Sequence, residues 1–144
     1  MGLNRSKNLS SAKDTCDTWF SKYVRLRDAN HNELCKCITC NTIKHWKEMD
    51  CGHFQSRRFS ATRYHEQNAH AQCQSCNKYN AGEQYRHGIE IDLLYGEGTA
   101  DYLEQLSRSM IKLNKVEVME LAQYYKQEAE KINLVYLVDS LTLN

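Results

Sequence analysis

Residues 68–77 read NAHAQCQSCN, and this stretch contains one of two Cys-x-x-C pairs in the chain. The other pair lies in residues 37–40, which read CITC. In a reducing compartment, paired thiols at this spacing usually hold a metal ion, and a redox site would need only one pair. The odd total of seven cysteines argues against a disulfide framework. We therefore predict one structural Zn²⁺ held by four thiolates, those of Cys37, Cys40, Cys73 and Cys76.

The length of 144 residues is typical of one domain with room for a helical appendage. Apolar residues make up 41% of the chain and charged residues 26%, which allows a modest core and excludes a disordered tail. No run approaches the ~20 apolar residues of a membrane span, and the N-terminal residues lack the apolar segment of a secretory signal. These features favour a small cytoplasmic protein without membrane contact.

The net charge of the chain is only +1, but the charged residues are distributed unevenly along the sequence. Residues 1–30 and 31–88 each carry a net charge of +3, whereas residues 89–144 carry −5. Such asymmetry favours an anionic partner for the basic part, although ordinary surface variation produces the same pattern.

The residues between the two cysteine pairs carry side chains suited to hydrolysis. Asp50 and His53 lie in this 32-residue insert, and Asn77 follows the second pair directly. A zinc ion joining the pairs would bring these three residues together, but a closed Cys₄ site does not itself catalyse. Carboxylate and amide oxygens suit Mg²⁺ or Mn²⁺, and a neutral histidine can take a proton from water. Together they can hydrolyse a phosphodiester, with Arg57 and Arg58 holding flanking phosphates.

Four stretches resemble the HNH (ββα-metal, His-Me finger) nucleases, and more narrowly the phage NinG/Rap recombination endonuclease family. They are WFSKYVRLRD at 19–28, CITC at 37–40, DCGHF at 50–54 and RYHEQNAHAQCQSCN at 63–77. The resemblance covers roughly residues 16–96. It implies a ββα-metal core with structural zinc, cleavage of Holliday junctions and D-loops, and a phage or prophage source, hence the host cytoplasm.

The resemblance also implies roles for single residues. His53 matches the general base, Asn68 the residue that orients the loop and the base, and Asn77 a ligand of the catalytic metal. The residues expected to contact DNA are Arg57, Arg58, Arg63 and Lys78.

The second protein ligand of the catalytic metal stays open between two residues. Many HNH sites have Asp or His directly before the base, where this chain has Gly52. Asp50 is one candidate, but strand alternation would put it opposite His53 unless Gly52 allows a bulge. His70, from the neighbouring strand, is the other. At the zinc site, Cys35 could likewise replace Cys37.

The apolar pattern predicts both helices and strands. We expect a helix over 10–29, capped by Ser10 or Ser11, with Arg25 and Arg27 facing solvent or phosphate. Short strands are predicted within 34–54, a loop over 55–67 and a strand over 68–73. Further helices are predicted over 77–88, over 99–113 and from Asn114, where Glu117 completes a capping box. The apolar residues at the end form either a strand or a docking tail.

The predicted fold class is α+β: a zinc-bound ββα-metal (HNH) core with an N-terminal helix and a C-terminal helical hairpin. Residues 1–98 would form the nuclease domain, and residues 99–144 a helical tail for packing or dimerisation. The expected function is metal-dependent cleavage of branched DNA by a homodimer whose symmetry matches a junction. The alternatives are an HNH enzyme nicking linear DNA and a non-catalytic zinc-stabilised DNA-binding module.

Overall fold

The computed structural model describes residues 8–142 and begins with a long helix, α1 (Leu9–Asp28). The predicted first helix is thereby confirmed, but its cap is Asn8, whose Oδ1 accepts from the Ser11 backbone N–H at 2.9 Å. Cys16, Phe20 and Val24 are buried on one face of this helix. Arg27 departs from the expectation of solvent exposure. Its guanidinium is part-buried because it donates to the backbone carbonyls of Glu66 and Ala69.

Two small antiparallel sheets follow α1. In the first, β1 (Leu34–Lys36) pairs with β2 (Ile43–His45), and the turn between them carries the first cysteine pair. In the second, β3 (Asp50–His53) pairs with β4 (Ala69–Gln72), so that Asp50 lies opposite Gln72. The predicted strands are confirmed in both places. The loop between β3 and β4 contains a short helix, α2 (Ser60–Arg63), and a 3₁₀ turn (Glu66–Asn68).

The segment after β4 differs from the single helix predicted over 77–88. A π-helical turn (Ser75–Tyr79) is followed by a 3₁₀ turn (Ala81–Glu83) and then by α3 (Gln84–Tyr95). Three successive residues interrupt the helix because their φ angles are positive: 52° at Ala81, 79° at Gly82 and 47° at Glu83. Such left-handed backbone cannot continue a right-handed helix.

The predicted C-terminal helical hairpin is wrong. Helix α4 (Thr99–Ser107) ends before residue 113 and packs against α2 and α3, whereas α5 (Lys115–Thr142) packs along α1. Helix α5 also includes the apolar residues for which a strand or tail was expected. An apolar stripe in the sequence does not identify the element that covers it.

Helix α5 contributes to both clusters of buried residues. Val118, Ala122 and Tyr125 pack against Cys16 and Phe20 of α1, with the Phe20 and Tyr125 ring centroids 4.9 Å apart. Ala129 belongs to the second cluster, which surrounds the cysteine pairs. Apolar residues on both sides of position 98 therefore share one packed core. Within residues 8–142, no helix is long and apolar enough to cross a membrane.

Candidate metal centre and active site

The four predicted zinc ligands lie together. Their Sγ atoms are all within 4.8 Å of one another, and the Cys40 and Cys73 Sγ atoms are 3.6 Å apart. A tetrahedral zinc site with Zn–S bonds of ~2.3 Å has sulfur–sulfur separations of about 3.8 Å, so the cluster fits this ion. Cys35 lies outside the cluster because its thiol donates to the Arg25 carbonyl. Cys37 is therefore the residue that completes the set of four cysteines.

A cavity of about 640 Å³ lies beside this cluster, between α1, β3 and the turns that follow β4. It is lined by Asp50, His53 and Asn77, which are far apart in sequence, and we call it the His53 cavity. Four cationic side chains and one further carboxylate also line it: Arg25, Lys47, Arg57, Lys78 and Asp17.

His53 is positioned by the backbone of the loop between β3 and β4. Its Nε2 lies 3.0 Å from the Arg63 carbonyl oxygen, which can only accept. The Nε2 atom of neutral His53 therefore carries the hydrogen, and Nδ1 carries the lone pair. Burial lowers the pKa of His53 below its usual value, which keeps the ring neutral at physiological pH. A neutral imidazole with an unprotonated Nδ1 can accept a proton.

Asp50 and Asn77 contact each other at the same cavity. Asn77 Nδ2 donates to Asp50 Oδ2 at 3.0 Å, so the amide and the carboxylate lie side by side. Asp50 and His53 occupy the two ends of the four-residue strand β3, and both line the cavity despite the alternation expected of a strand. The carboxylate of Asp50 and the amide oxygen of Asn77 are donors that suit Mg²⁺ or Mn²⁺.

His70 lies elsewhere. It is buried, with Nδ1 3.0 Å from His87 Nε2 and Nε2 2.8 Å from the Tyr95 hydroxyl. Both ring nitrogens are therefore engaged within the protein. Burial lowers the pKa of His70 to about 3. His70 lines a separate cavity of about 340 Å³, whereas Asp50 shares its cavity with His53 and Asn77.

Asn68 is buried beneath the loop that follows β3. Its Nδ2 donates to the carbonyls of Gln55 and Thr62, and its Oδ1 accepts from the Gln55 backbone N–H at 2.8 Å. Asn68 thereby ties together two points of the loop that leads to Arg63. Asn68 therefore holds the loop and does not line the cavity. The same loop carries the Arg63 carbonyl, which contacts His53.

The four residues expected to contact DNA have different surroundings. Arg57 and Lys78 are exposed and line the His53 cavity. Arg58 is exposed, and its guanidinium carbon lies 4.6 Å from the Phe59 ring centroid. The guanidinium of Arg63 is paired with Asp17 at 2.6 Å, and the more exposed Arg57 guanidinium lies 3.4 Å from the same carboxylate.

Some residues of the site were missed by the sequence analysis. Lys47 lines the His53 cavity together with Arg25, and both lie over the Trp46 ring, at 5.7 and 5.4 Å from its centroid. Asp17 was missed too, since it belongs to no motif. Only the positive charge of residues 31–88 pointed towards Lys47.

Comparison with known proteins identifies one family. The model of the NinG family, described as bacteriophage lambda NinG protein, matches residues 3–134. No curated protein matches the chain. No solved structure matches it either.

Proposed function

The chain belongs to the NinG family, and from that premise we propose that it is a metal-dependent DNA endonuclease of the HNH type acting on branched recombination intermediates. The main support for the proposal is the observation that His53, Asp50 and Asn77 line the same cavity. A base and two oxygen ligands in one basic cavity suit phosphodiester hydrolysis. The substrates we propose are Holliday junctions and D-loops.

In the proposed mechanism, His53 Nδ1 takes a proton from a water molecule. The water oxygen then attacks the scissile phosphorus in line, and the bond to the leaving oxygen breaks. When held by Asp50 and Asn77, Mg²⁺ or Mn²⁺ supplies stabilisation of the negative charge that develops on the phosphate. The Arg63 carbonyl keeps the His53 imidazole oriented while the Nδ1 atom of that ring accepts the proton.

Cationic side chains around the His53 cavity support the proposal that the substrate is an anion. Arg57, Lys78, Arg25 and Lys47 carry charges that would neutralise phosphates on either side of the scissile bond. Arg58 would bind a phosphate further along the strand. Arg63 would act mainly through Asp17, since its guanidinium is already paired.

We further propose a structural zinc at the four cysteines and a homodimer on DNA. A junction resolved by two opposed cuts is matched by a protein with two-fold symmetry. The surface that supports self-association lies at the end of α5, where Leu134, Leu137, Val138 and Leu141 are exposed.

Cleavage of a four-way junction and a matched linear duplex in Mg²⁺, Mn²⁺ or EDTA tests the proposal. We expect metal-dependent cutting of the junction that falls ~10²–10⁴-fold in His53→Ala, because the water loses its base. His31→Ala removes an exposed histidine outside the cavity and should cut like the unchanged protein.

Two other results would change the assignment. Equal cutting of both substrates would favour the nickase of linear DNA. Binding without cutting in either metal would favour the zinc-stabilised module and contradict the endonuclease.

A further inference from the structure

We propose that Asp17 is a positioning residue for His53, holding the histidine ring through Arg63 in the tautomer whose Nδ1 is unprotonated. Asp17 belongs to α1, and the other two residues belong to β3 and α2. The inference rests on the proposed function only for its effect on cleavage. The geometry itself concerns three side chains and one backbone carbonyl.

The first link joins Asp17 to Arg63. Arg63 Nε donates to Asp17 Oδ1 at 3.0 Å, and Arg63 Nη2 donates to Asp17 Oδ2 at 2.6 Å. Both side chains are mostly enclosed, with 15% and 17% of their areas exposed. Tyr64 adds a hydroxyl donor to Asp17 Oδ1 at 2.9 Å. A two-point, partly buried ion pair of this kind fixes orientation as well as distance.

The second link joins Arg63 to His53 through the backbone. The Arg63 carbonyl oxygen, 3.0 Å from His53 Nε2, is the acceptor that selects the tautomer. Arg63 also donates from Nη1 to the Arg57 carbonyl at 3.0 Å, which ties the same loop a second time. The loop carrying the carbonyl is therefore attached to α1 by the Arg63 side chain.

The third observation is that α1 gives Asp17 a fixed position. Its neighbours in the helix, Cys16 and Phe20, are almost completely buried in the core. The Phe20 ring also lies 5.9 Å from the His53 ring. Asp17 thus connects the packed core to the atom that orients the base. Losing its charge leaves the mostly enclosed Arg63 side chain without this counter-ion, so the loop would shift to expose the guanidinium.

The test reads the tautomer of His53 by NMR of protein with ¹⁵N-labelled histidine rings, and His53→Ala assigns its signals. We expect hydrogen on Nε2 in the unchanged protein and a substantial Nδ1–H population in Asp17→Asn. Cleavage should fall about 10- to 100-fold in this variant, while junction binding stays within about 2-fold. The matched control is Asp14→Asn, an exposed carboxylate on the same helix.

An unchanged tautomer in folded Asp17→Asn would overturn the inference. If that variant does not fold, Arg63→Lys keeps the charge but loses the two-point pairing, and the same tautomer shift is expected; its absence would overturn the inference. The result is separable from the proposed function. A tautomer shift in a protein that cuts no DNA would support the positioning and refute the endonuclease.

Discussion

Gly52 directly precedes His53 in the sequence, and its surroundings explain the glycine. A Cβ atom at this position would lie 2.1 Å from Gln72 Oε1 and 2.9 Å from Gln72 Cβ. The buried Gln72 side chain donates to Thr39 Oγ1 and to the Gly82 carbonyl, at 3.0 and 2.8 Å. Gln72 therefore connects the turn between β1 and β2 to the rim of the His53 cavity, and Gly52 leaves room for it.

We expect Gly52→Ala to lower the free energy of unfolding by about 1–3 kcal/mol, because the new methyl group overlaps Gln72. Urea denaturation of the zinc-loaded protein measures this loss. In a Gln72→Ala background the same substitution should cost less, since the overlapping atoms are gone. A Gly52→Ala protein as stable as the unchanged one would contradict this explanation.

For single residues, the spacing in the sequence was enough to predict which side chains lie close together when they share a motif. The four cysteines, His53 and Asn77 were all placed near one another because two metal-binding pairs enclose or adjoin them. Asp17 and Gln72 were not found, since each acts through a partner 33 or more residues away. Nothing local distinguishes such a carboxylate or amide from an ordinary surface residue.

Among the elements, helix α5 shows what the sequence pattern of a helix predicts and what it does not predict. Its start was predicted from the capping box and is confirmed: Asn114 Oδ1 accepts from the Glu117 backbone N–H at 2.9 Å. The helical spacing of Ala122, Tyr125 and Ala129, which are buried in the structure, was also readable in the sequence. Its packing against α1 could not be predicted, because the apolar face of one helix can pack against any other helix whose apolar face has a similar width.

The outward face near the end of α5 is the basis for the proposed homodimer. Leu134, Leu137, Val138 and Leu141 are each at least half exposed and recur at three- and four-residue intervals. Residues at this spacing lie on one side of a helix. Two such faces could pack together and remove both from water.

Replacing Leu134 and Leu141 together by Glu should convert the dimer to a monomer, because it places charges on the apolar face. Light scattering coupled to size-exclusion chromatography, at tens of micromolar protein, measures the mass. Val116→Glu changes an exposed residue near the start of α5 and serves as the control. A monomeric unchanged protein, with or without junction DNA, would refute the homodimer.

For the molecule as a whole, the four-cysteine cluster joins the two small sheets. It ties the turn between β1 and β2 to the segment that follows β4, and each sheet has only two strands. Two-stranded sheets are marginal on their own. The α+β class and the four-cysteine cluster were predictable because they follow from composition and spacing, whereas helix packing depends on the complete fold.

Zinc removal is therefore expected to unfold the chain, at a cost of several kcal/mol or more. Elemental analysis should find one zinc per chain, and calorimetry with and without a chelator should show a large fall in Tm. Cys40→Ser should reproduce the effect of the chelator, whereas Cys51→Ser, outside the cluster, should retain zinc. A zinc-free protein with an unchanged Tm would contradict a structural role for the metal.

The packing of α5 along α1 also constrains the order in which the chain can fold during its synthesis. The Tyr136 hydroxyl donates to the Leu26 carbonyl across 110 residues of sequence, and Tyr125 closes the core above Phe20. A chain still emerging from the ribosome has α1 without its partner helix. Helix α1 also lines the His53 cavity, so the core that supports this cavity is complete only after α5 has left the ribosome.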